Sequence, residues 1–373
     1  MKNKLLYFDN AATSFPKPPS VINETLRFVR NDGGNPGRSG HRLSQKAAER
    51  VYSVREKVAD FVGVSSPERI VFTPGATFSL NLAIKTGVKK GAHLLISDME
   101  HNSVLRTVHS LKACGVCDYS LFDAFNPEMS IEGSVRSETT HIISTLASNV
   151  SGDFLDIKAL ERVAKKNGLS LILDASQRLG HAPFSLDGIE FDALCCASHK
   201  SLFGFAGAGF IAFGNDNRKE SFIEGGSGSD SKSLFMPDNL PERFEGGTLP
   251  VPAIISLGAG IDFINQIELP EIEKKLLGFT ERLSDILDSF KDVSFFKGNS
   301  GTLVFTHRKI PSEALASMLD AVGVCVRGGF HCAPLAHKKL GTYEDGAVRI
   351  SLSCLNTYAQ IDCFYKRLKD ILK

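Results

Sequence analysis

From residue 70 onward, short apolar runs alternate with stretches of helical periodicity, and this alternation constrains the fold most. Ile70-Val-Phe-Thr73 reads as a strand, followed by Pro74-Gly75 and a helix through Lys85. His93–Ser97 reads as a strand, with a helix from about Ser103. His141–Thr145 is a third strand, and a helix over Ile157–Asn167 leads to a fourth, Leu169–Asp174. Asp192–Ser198 and Ala208–Phe213 add two more. Strands alternating with helices predict parallel βαβ units in a three-layer α/β domain, mostly parallel at its centre.

The pattern changes further on. Gly225 through Pro252 is a long polar stretch rich in Gly and Pro, which reads as a functional loop. Two long helical patterns follow, Ala253–Ile267 and Glu271–Phe290. Strands near Thr302–Thr306, Gly323–Arg327 and Ala347–Leu352 then mix with helices at Pro311–Ala321 and Thr357–Leu372, the pattern of an α+β unit. The expected organisation is an N-terminal segment, 1–15, packed with the small domain; a large domain, 16–255; and a small C-terminal α+β domain, 256–373. No internal repeat is visible.

Composition excludes several classes. Hydrophobic residues make up 42% of the 373, enough for a large core, and 23% charged residues argue against disorder. Lys and Arg total 43 against 42 Asp and Glu, a net charge of +1, so no general attraction to nucleic acid or acidic membranes is expected. No window is long and apolar enough for a membrane span. The apolar run Leu5–Phe8 is too short for a signal peptide core, so a cytoplasmic location is expected. Eight cysteines in a chain of this length do not make a disulfide framework; each is either core or chemically active.

Five constellations could carry chemistry. Asp174 closes an apolar strand, where open α/β sheets bind ligands; the alternative is an Asp capping the next turn. Lys200, in Ala197-Ser-His-Lys200, also follows a strand. Desolvation there would lower its pKa and make the amine a Schiff-base former; the alternative is a surface Lys. The following Gly204-x-x-Gly207-x-Gly209 has the wrong order for a dinucleotide fingerprint. Thr73-Pro-Gly75-Ala76-Thr77 joins strand to helix as an anion cradle for one phosphate, or as an ordinary N-cap. Arg327-Gly-Gly-Phe-His331-Cys332-Ala-Pro334 places a cysteine in a Gly-rich loop where a thiolate could act. Arg349, within an apolar strand pattern, either snorkels or clamps a carboxylate. Cys195, Cys196, Cys354 and Cys363 read as core. Cys114-Gly-Val-Cys117 has no second pair for zinc, and His331, Cys332 and His337 have no fourth ligand, so no metal is expected.

One phosphate, a carboxylate, a Schiff-base lysine and an arginine fork together match pyridoxal 5'-phosphate, which uses most of these groups at once. The sequence also resembles the class V aminotransferase group, and within it the cysteine desulfurase and selenocysteine lyase family. The matching stretches are Tyr7–Thr13, Phe72–Thr77, Glu100-His-Asn102, Ser148-Asn-Val150, Asp174–Gln177, Ser198-His-Lys200, Arg243–Thr248, Arg327–Pro334 and Arg349-Ile-Ser351, in family order. The resemblance implies fold type I of the pyridoxal phosphate enzymes. It implies that Lys200 bonds the cofactor, that Asp174 pairs with its ring nitrogen and that His101 stacks on its face; a turn histidine before a helix is the alternative for His101. Asn149 and Gln177 would lie near the ring hydroxyl. Gly75, Ala76, Thr77, Ser198 and His199 would take the phosphate, with Thr248 reaching the neighbouring subunit's site in a homodimer. Arg349 would grip the substrate carboxylate and Cys332 would accept sulfur.

Two positions depart from the family pattern: Ala76 replaces a frequent hydroxyl, and Phe330 replaces a commonly polar residue. The short connection from Cys332 to Arg349 resembles the group II-like branch, whose cysteine loop is ordered and whose sulfur passes to an acceptor protein. The expected reaction converts L-cysteine to L-alanine with an enzyme persulfide. Selenocysteine lyase, cysteine sulfinate desulfinase and aminotransferase are alternatives on the same scaffold, and a non-catalytic sulfur-handling protein is a rival from another class.

Overall fold

A computed structural model describes residues 5–37, 40–214, 218, 220–229 and 232–372. In chain order the strands are β1 (Leu6–Tyr7), β2 (Ile70–Thr73), β3 (Ala92–Ser97), β4 (Cys117–Phe122), β5 (Thr139–Thr145), β6 (Ser170–Asp174), β7 (Ala193–Ala197), β8 (Gly209–Phe213), β9 (Val293–Lys297), β10 (Thr302–His307), β11 (Val324–Cys325) and β12 (Val348–Ser351). The helices are α1 (Pro19–Asn31), α2 (Arg42–Val62), α3 (Ala76–Gly87), α4 (Asn102–Ala113), α5 (Pro127–Glu132), α6 (Ile157–Asn167), α7 (Val251–Ile267), α8 (Leu269–Asp288), α9 (Ser312–Ala321), α10 (Pro334–Lys339) and α11 (Tyr358–Ile371).

Seven strands form the central sheet in the order β2-β8-β7-β6-β5-β3-β4. Strands β4, β3, β5, β6 and β7 pair in parallel, while β8 runs antiparallel to both β7 and β2. Strands buried on both faces read as continuous apolar runs, because successive side chains point to opposite sides and both sides need apolar cover. Leu94 and Ile96 join Leu80 of α3 and Val104 of α4 on one face. Leu95, between them in sequence, joins Val54 of α2, Leu160 of α6 and Ile254 of α7 on the other. These are the three expected layers.

Three strands were not expected: the two-residue β1, β4 and β9. β4 has exposed and half-buried residues between buried ends, and β9 has no buried residue. β4 and β9 lie at sheet edges, where mixed polarity blurs the strand pattern. Helices α1 and α2, N-terminal to the alternating region, were also not anticipated. α2 buries Ala47, Val51, Val54 and Val58 and packs on α7.

The C-terminal region carries an antiparallel sheet, β12-β10-β9. β1 pairs in parallel with β11, setting Leu6 opposite Val324 and Tyr7 opposite Cys325, so the N-terminal segment is hydrogen-bonded to this region. The boundary drawn at 255/256 falls inside α7, which runs unbroken from Val251 to Ile267 and packs on α1 and α2. The chain changes direction at Glu268, in the left-handed region at φ 74°, before Pro270 in the first turn of α8. The Gly/Pro-rich stretch from 225 to 250 contains no helix or strand among the described residues.

Candidate active site

The carboxyl ends of β2, β3, β5, β6 and β7 converge, as open α/β sheets place their ligand sites. They deliver Thr77, His101, Asn149, Asp174 and Lys200 to one cavity of about 810 Å³. Gly209 makes this convergence possible. It opens β8 between Thr73 of β2 and Ala197 of β7. A Cβ there would lie 2.7 Å from the Cys196 carbonyl oxygen and 2.7 Å from the Gly75 Cα. Glycine alone allows that approach.

Two helices start at the cavity. α3 begins after Gly75 with no side-chain cap, so its first backbone amides stay available to an anion. Thr77 in its first turn shares a hydrogen bond with Ser103 in the first turn of α4, at 2.8 Å between hydroxyl oxygens. α4 is capped by His101, whose Nδ1 accepts from the Ser103 amide at 3.0 Å. That bond places the proton of the neutral ring on Nε2 and fixes the ring plane. Burial, then the nearby Lys200, push the His101 pKa down to about 4. His101 is therefore both the turn histidine and a wall of the cavity.

Among the described lining residues Asp174 is the only carboxylate, against the cations Lys200, Arg327 and Arg349. Asp174 Oδ1 accepts from the Ser176 amide at 2.9 Å, which sets the carboxylate's orientation. Burial lowers the Lys200 pKa, with Asp174 pulling the other way. Gln177 Nε2 donates to the Ala11 carbonyl at 2.9 Å, and Asn149 Nδ2 to the His331 carbonyl at 2.7 Å. His199 lines the cavity, and its carbonyl accepts from the Thr13 hydroxyl and from Lys17 Nζ.

Two expected phosphate ligands stand apart. Ser198 is buried beneath the cavity floor, and its hydroxyl faces the carbonyls of Phe205 at 2.6 Å and Ala208 at 2.7 Å. Its side chain braces the loop that carries Lys200. Thr248 is exposed in the Gly/Pro-rich stretch and does not line this chain's cavity.

Arg349 is 1% exposed, which decides against snorkelling. Its Nη1 donates to the Asn149 carbonyl at 2.9 Å and its Nη2 to Asp9 at 2.7 Å, while Nε has no partner. Cys332 is half-buried on the turn before α10. The Cys332 carbonyl accepts from the Asn102 amide at 2.7 Å, and Arg327 Nη2 lies 3.5 Å from Sγ. The loop is thus held by α4 and by the segment after β5.

Sequence reasoning assigned no role to Asp9, Ser103 or Arg327, and none to Glu100. Glu100 is fully buried, with no cation in contact among the described residues. Its Oε1 accepts from the Thr145 amide at 2.5 Å and from the Ser97 hydroxyl, its Oε2 has no partner, and burial pushes its pKa up to about 8. Asp9 and Glu100 lie inside quoted motifs, and Arg327 opens the cysteine loop, so the signal was position within a motif.

A mostly parallel sheet whose strand ends carry an anion cradle, a carboxylate and a desolvated lysine is the fold type I architecture of pyridoxal phosphate enzymes. The family model for class-V aminotransferases matches residues 6–364, and the chain belongs to that family, which is pyridoxal phosphate-dependent. A probable cysteine desulfurase of Methanothermobacter thermautotrophicus is 30% identical over 381 residues, covering 98% of this chain and 94% of the relative. A probable cysteine desulfurase of Pyrococcus abyssi is 29% identical over 393 residues, covering 100% and 96%. The apo cysteine desulfurase of Thermococcus onnurineus superposes with a TM-score of 0.88 at 27% identity, covering 99% of this chain and 95% of that one. The cavity fits the cofactor: two arginines and free helix amides suit a bound phosphate and a carboxylate, and Lys200 and Asp174 suit an aldehyde and a ring nitrogen.

Proposed function

We propose that this protein is a pyridoxal phosphate-dependent cysteine desulfurase. It takes sulfur from L-cysteine, leaves L-alanine, and holds the sulfur as a persulfide on Cys332. The observation that carries this reading is the Cys332 thiol beside Arg327, which lines the cavity together with Lys200 and the buried Arg349. An aminotransferase has no use for such a thiol.

Lys200 would hold the cofactor, with Asp174 at its ring nitrogen, His101 on its face and Asn149 and Gln177 near its hydroxyl. The amides of Gly75, Ala76 and Thr77 would take the phosphate together with His199 and the loop braced by Ser198. When bound, the cofactor supplies an aldehyde that condenses with amines and a ring that withdraws electrons from the substrate Cα. Arg349 orients the substrate through its carboxylate. Lys200, as a free amine beside the substrate, would move the Cα proton. The Cys332 thiolate attacks the substrate sulfur, so the Cβ–S bond breaks as the S–S bond forms. Protons returned to carbon complete L-alanine, and the thiol plus L-cysteine balance as persulfide plus L-alanine.

The chain works as a homodimer in which Thr248 of the partner subunit completes the phosphate site, and an acceptor protein draws sulfur from Cys332. The exposure of Thr248, away from its own cavity, and the anchored cysteine loop support these two statements.

The test is product analysis with L-cysteine, L-selenocysteine and L-cysteine sulfinate in parallel, with persulfide mapping by mass spectrometry after one turnover. L-Alanine from L-cysteine with sulfur on Cys332 is expected. Cys332→Ala should keep the cofactor's visible absorbance and lose alanine release from L-cysteine. Sulfur on another cysteine, with Cys332 unmodified and the alanine variant active, would overturn the reading.

A further inference from the structure

Behind the cysteine loop lies a buried chain of side chains that the reaction as described does not use. His331 and Cys332 both adopt left-handed backbone conformations, at φ 51° and 58°. Such conformations cost non-glycine residues ~1–2 kcal/mol each and persist where the surroundings impose them. The carbonyls of both residues are pinned, by Asn149 and by the Asn102 amide. The His331 side chain is held separately. Its Nε2 lies 3.0 Å from the Arg327 carbonyl oxygen and its Nδ1 lies 3.1 Å from His337 Nε2. His337 Nδ1 lies 2.7 Å from the Thr342 hydroxyl. The two imidazole planes lie 20° from parallel with centroids 5.3 Å apart, the arrangement of rings joined edge to edge by that bond, and His337 is 0% exposed.

One end of this chain fixes the direction of every proton in it. A carbonyl only accepts, so His331 carries its proton on Nε2. Burial holds His331 neutral, its pKa pushed down to about 2, so Nδ1 is an acceptor. His337 Nε2 must then donate. His337 is also kept neutral by burial, at about 4, so its Nδ1 accepts from the Thr342 hydroxyl. The bonds run from Thr342 to His337, to His331, to the backbone of Arg327. His337 stands on α10, which Lys339 ties to Asp98 at 2.6 Å and Asp123 at 2.5 Å, after β3 and β4. The donor is therefore carried by an element fixed to the large sheet.

We propose that His337, oriented by Thr342, is a positioning residue for sulfur transfer: by donating to His331 it fixes the histidine's tautomer and ring plane and holds Cys332 in place beside Arg327, which lines the cavity. The inference rests on Cys332 being the sulfur acceptor. His337 touches neither substrate nor cofactor. It acts on the residue whose backbone carries directly into the nucleophile, and a thiol displaced by an ångström loses much of its attack geometry.

Three variants test it in the holoenzyme. His337→Leu removes the donor. His337→Gln offers an amide N–H at about the position of Nε2. Thr342→Val keeps the shape of the threonine and removes the hydroxyl that orders His337. Nitrogen-15 shifts of the wild-type side chains should show both histidines neutral with the proton on Nε2. Single-turnover persulfide formation on Cys332 should fall ~10- to 100-fold in His337→Leu, recover in part in His337→Gln, and fall less in Thr342→Val. KM for L-cysteine and the cofactor's visible absorbance should stay unchanged, and the rate of Cys332 alkylation by iodoacetamide should change in parallel with persulfide formation. Wild-type sulfur on a different cysteine would remove the desulfurase assignment itself. With sulfur on Cys332, an Nδ1 proton on His331, or wild-type persulfide rates in His337→Leu, would overturn the positioning role. If His337→Leu does not fold, an Nδ1 proton on His331 in the wild type, or wild-type persulfide rates in Thr342→Val, overturns it equally.

Discussion

Arg349 shows how much a single residue's meaning depends on partners far away in sequence. An arginine in an apolar strand has two readings, and no feature near it chooses between them. Its carboxylate partner, Asp9, lies 340 positions earlier, brought alongside because β1 pairs with β11 and the chain then bridges from Asp9 to Ser351. That pairing leaves Nη1 on a carbonyl, Nη2 on a carboxylate and Nε unpartnered. A lysine in this place keeps the charge, yet a single ammonium head cannot serve both anchors and still face a substrate in a planar fork. Arg349→Lys should raise KM for L-cysteine about tenfold or more, the worth of a charge-assisted hydrogen bond, while the cofactor's visible absorbance stays as in the wild type. Steady-state kinetics with a parallel absorbance scan checks this; an unchanged KM would place the carboxylate clamp elsewhere. Lys200 and Asp174, by contrast, were legible from sequence, because each directly follows or closes an apolar strand. Glu100 and Arg327 were not, since their meaning lies in burial and in a thiol that only the folded chain sets beside them.

At the scale of elements, legibility follows burial. The strands β6 and β7, buried along most of their length, announce themselves as apolar runs. The edges β4 and β9 do not, and order within the sheet could not be read at all. Gly209 illustrates the remainder. In sequence it belongs to a glycine cluster with the wrong spacing for a nucleotide fingerprint. In the fold it is the point where β8 enters between two strand ends and passes under Gly75. Both atoms that a Cβ would strike belong to the backbone, so no side chain can swing aside. Gly209→Ala should therefore cost about 1–3 kcal/mol of stability, the usual range for overpacking, and should loosen the anion cradle at the start of α3. Urea denaturation and cofactor titration measure the two effects. A variant as stable as the wild type, with the same cofactor affinity, would mean that the approach of β8 to Gly75 is not tight.

Across the whole molecule, a net charge of +1 conceals a cavity where three cations face one carboxylate, so composition reports nothing of the field that a substrate meets. It likewise conceals how the fold treats its histidines. Burial is the main cause that pushes His101, His141, His181, His199 and His337 down to about 4, and His331 to about 2, from 6.5. Between pH 6.5 and 4 the unfolded chain takes up protons at these positions and the folded chain does not, so stability falls on acidification. At pH 5 each such histidine forfeits up to ~2 kcal/mol, at 1.36 kcal/mol per pH unit of difference. Glu100 acts in the opposite sense. Its folded pKa, raised to about 8 from 4.5, means that the folded chain keeps a proton the unfolded chain has lost, so stability also declines as pH rises from 4.5 to 8. Below pH 6.5 the six histidines outweigh Glu100; above it, of these seven groups, only the glutamate acts. Stability should therefore peak near pH 6.5. Urea midpoints at pH 5.0, 6.5 and 8.0, with cofactor in excess, measure the profile. His141, outside the cavity, gives the cleanest variant: His141→Gln should narrow the gap between pH 5.0 and 6.5, and Glu100→Gln should flatten the decline from 6.5 to 8.0. Equal midpoints at pH 5.0 and 6.5 in the wild type would mean that these histidines gain protons in the fold as readily as outside it, and that their burial does not hold them neutral.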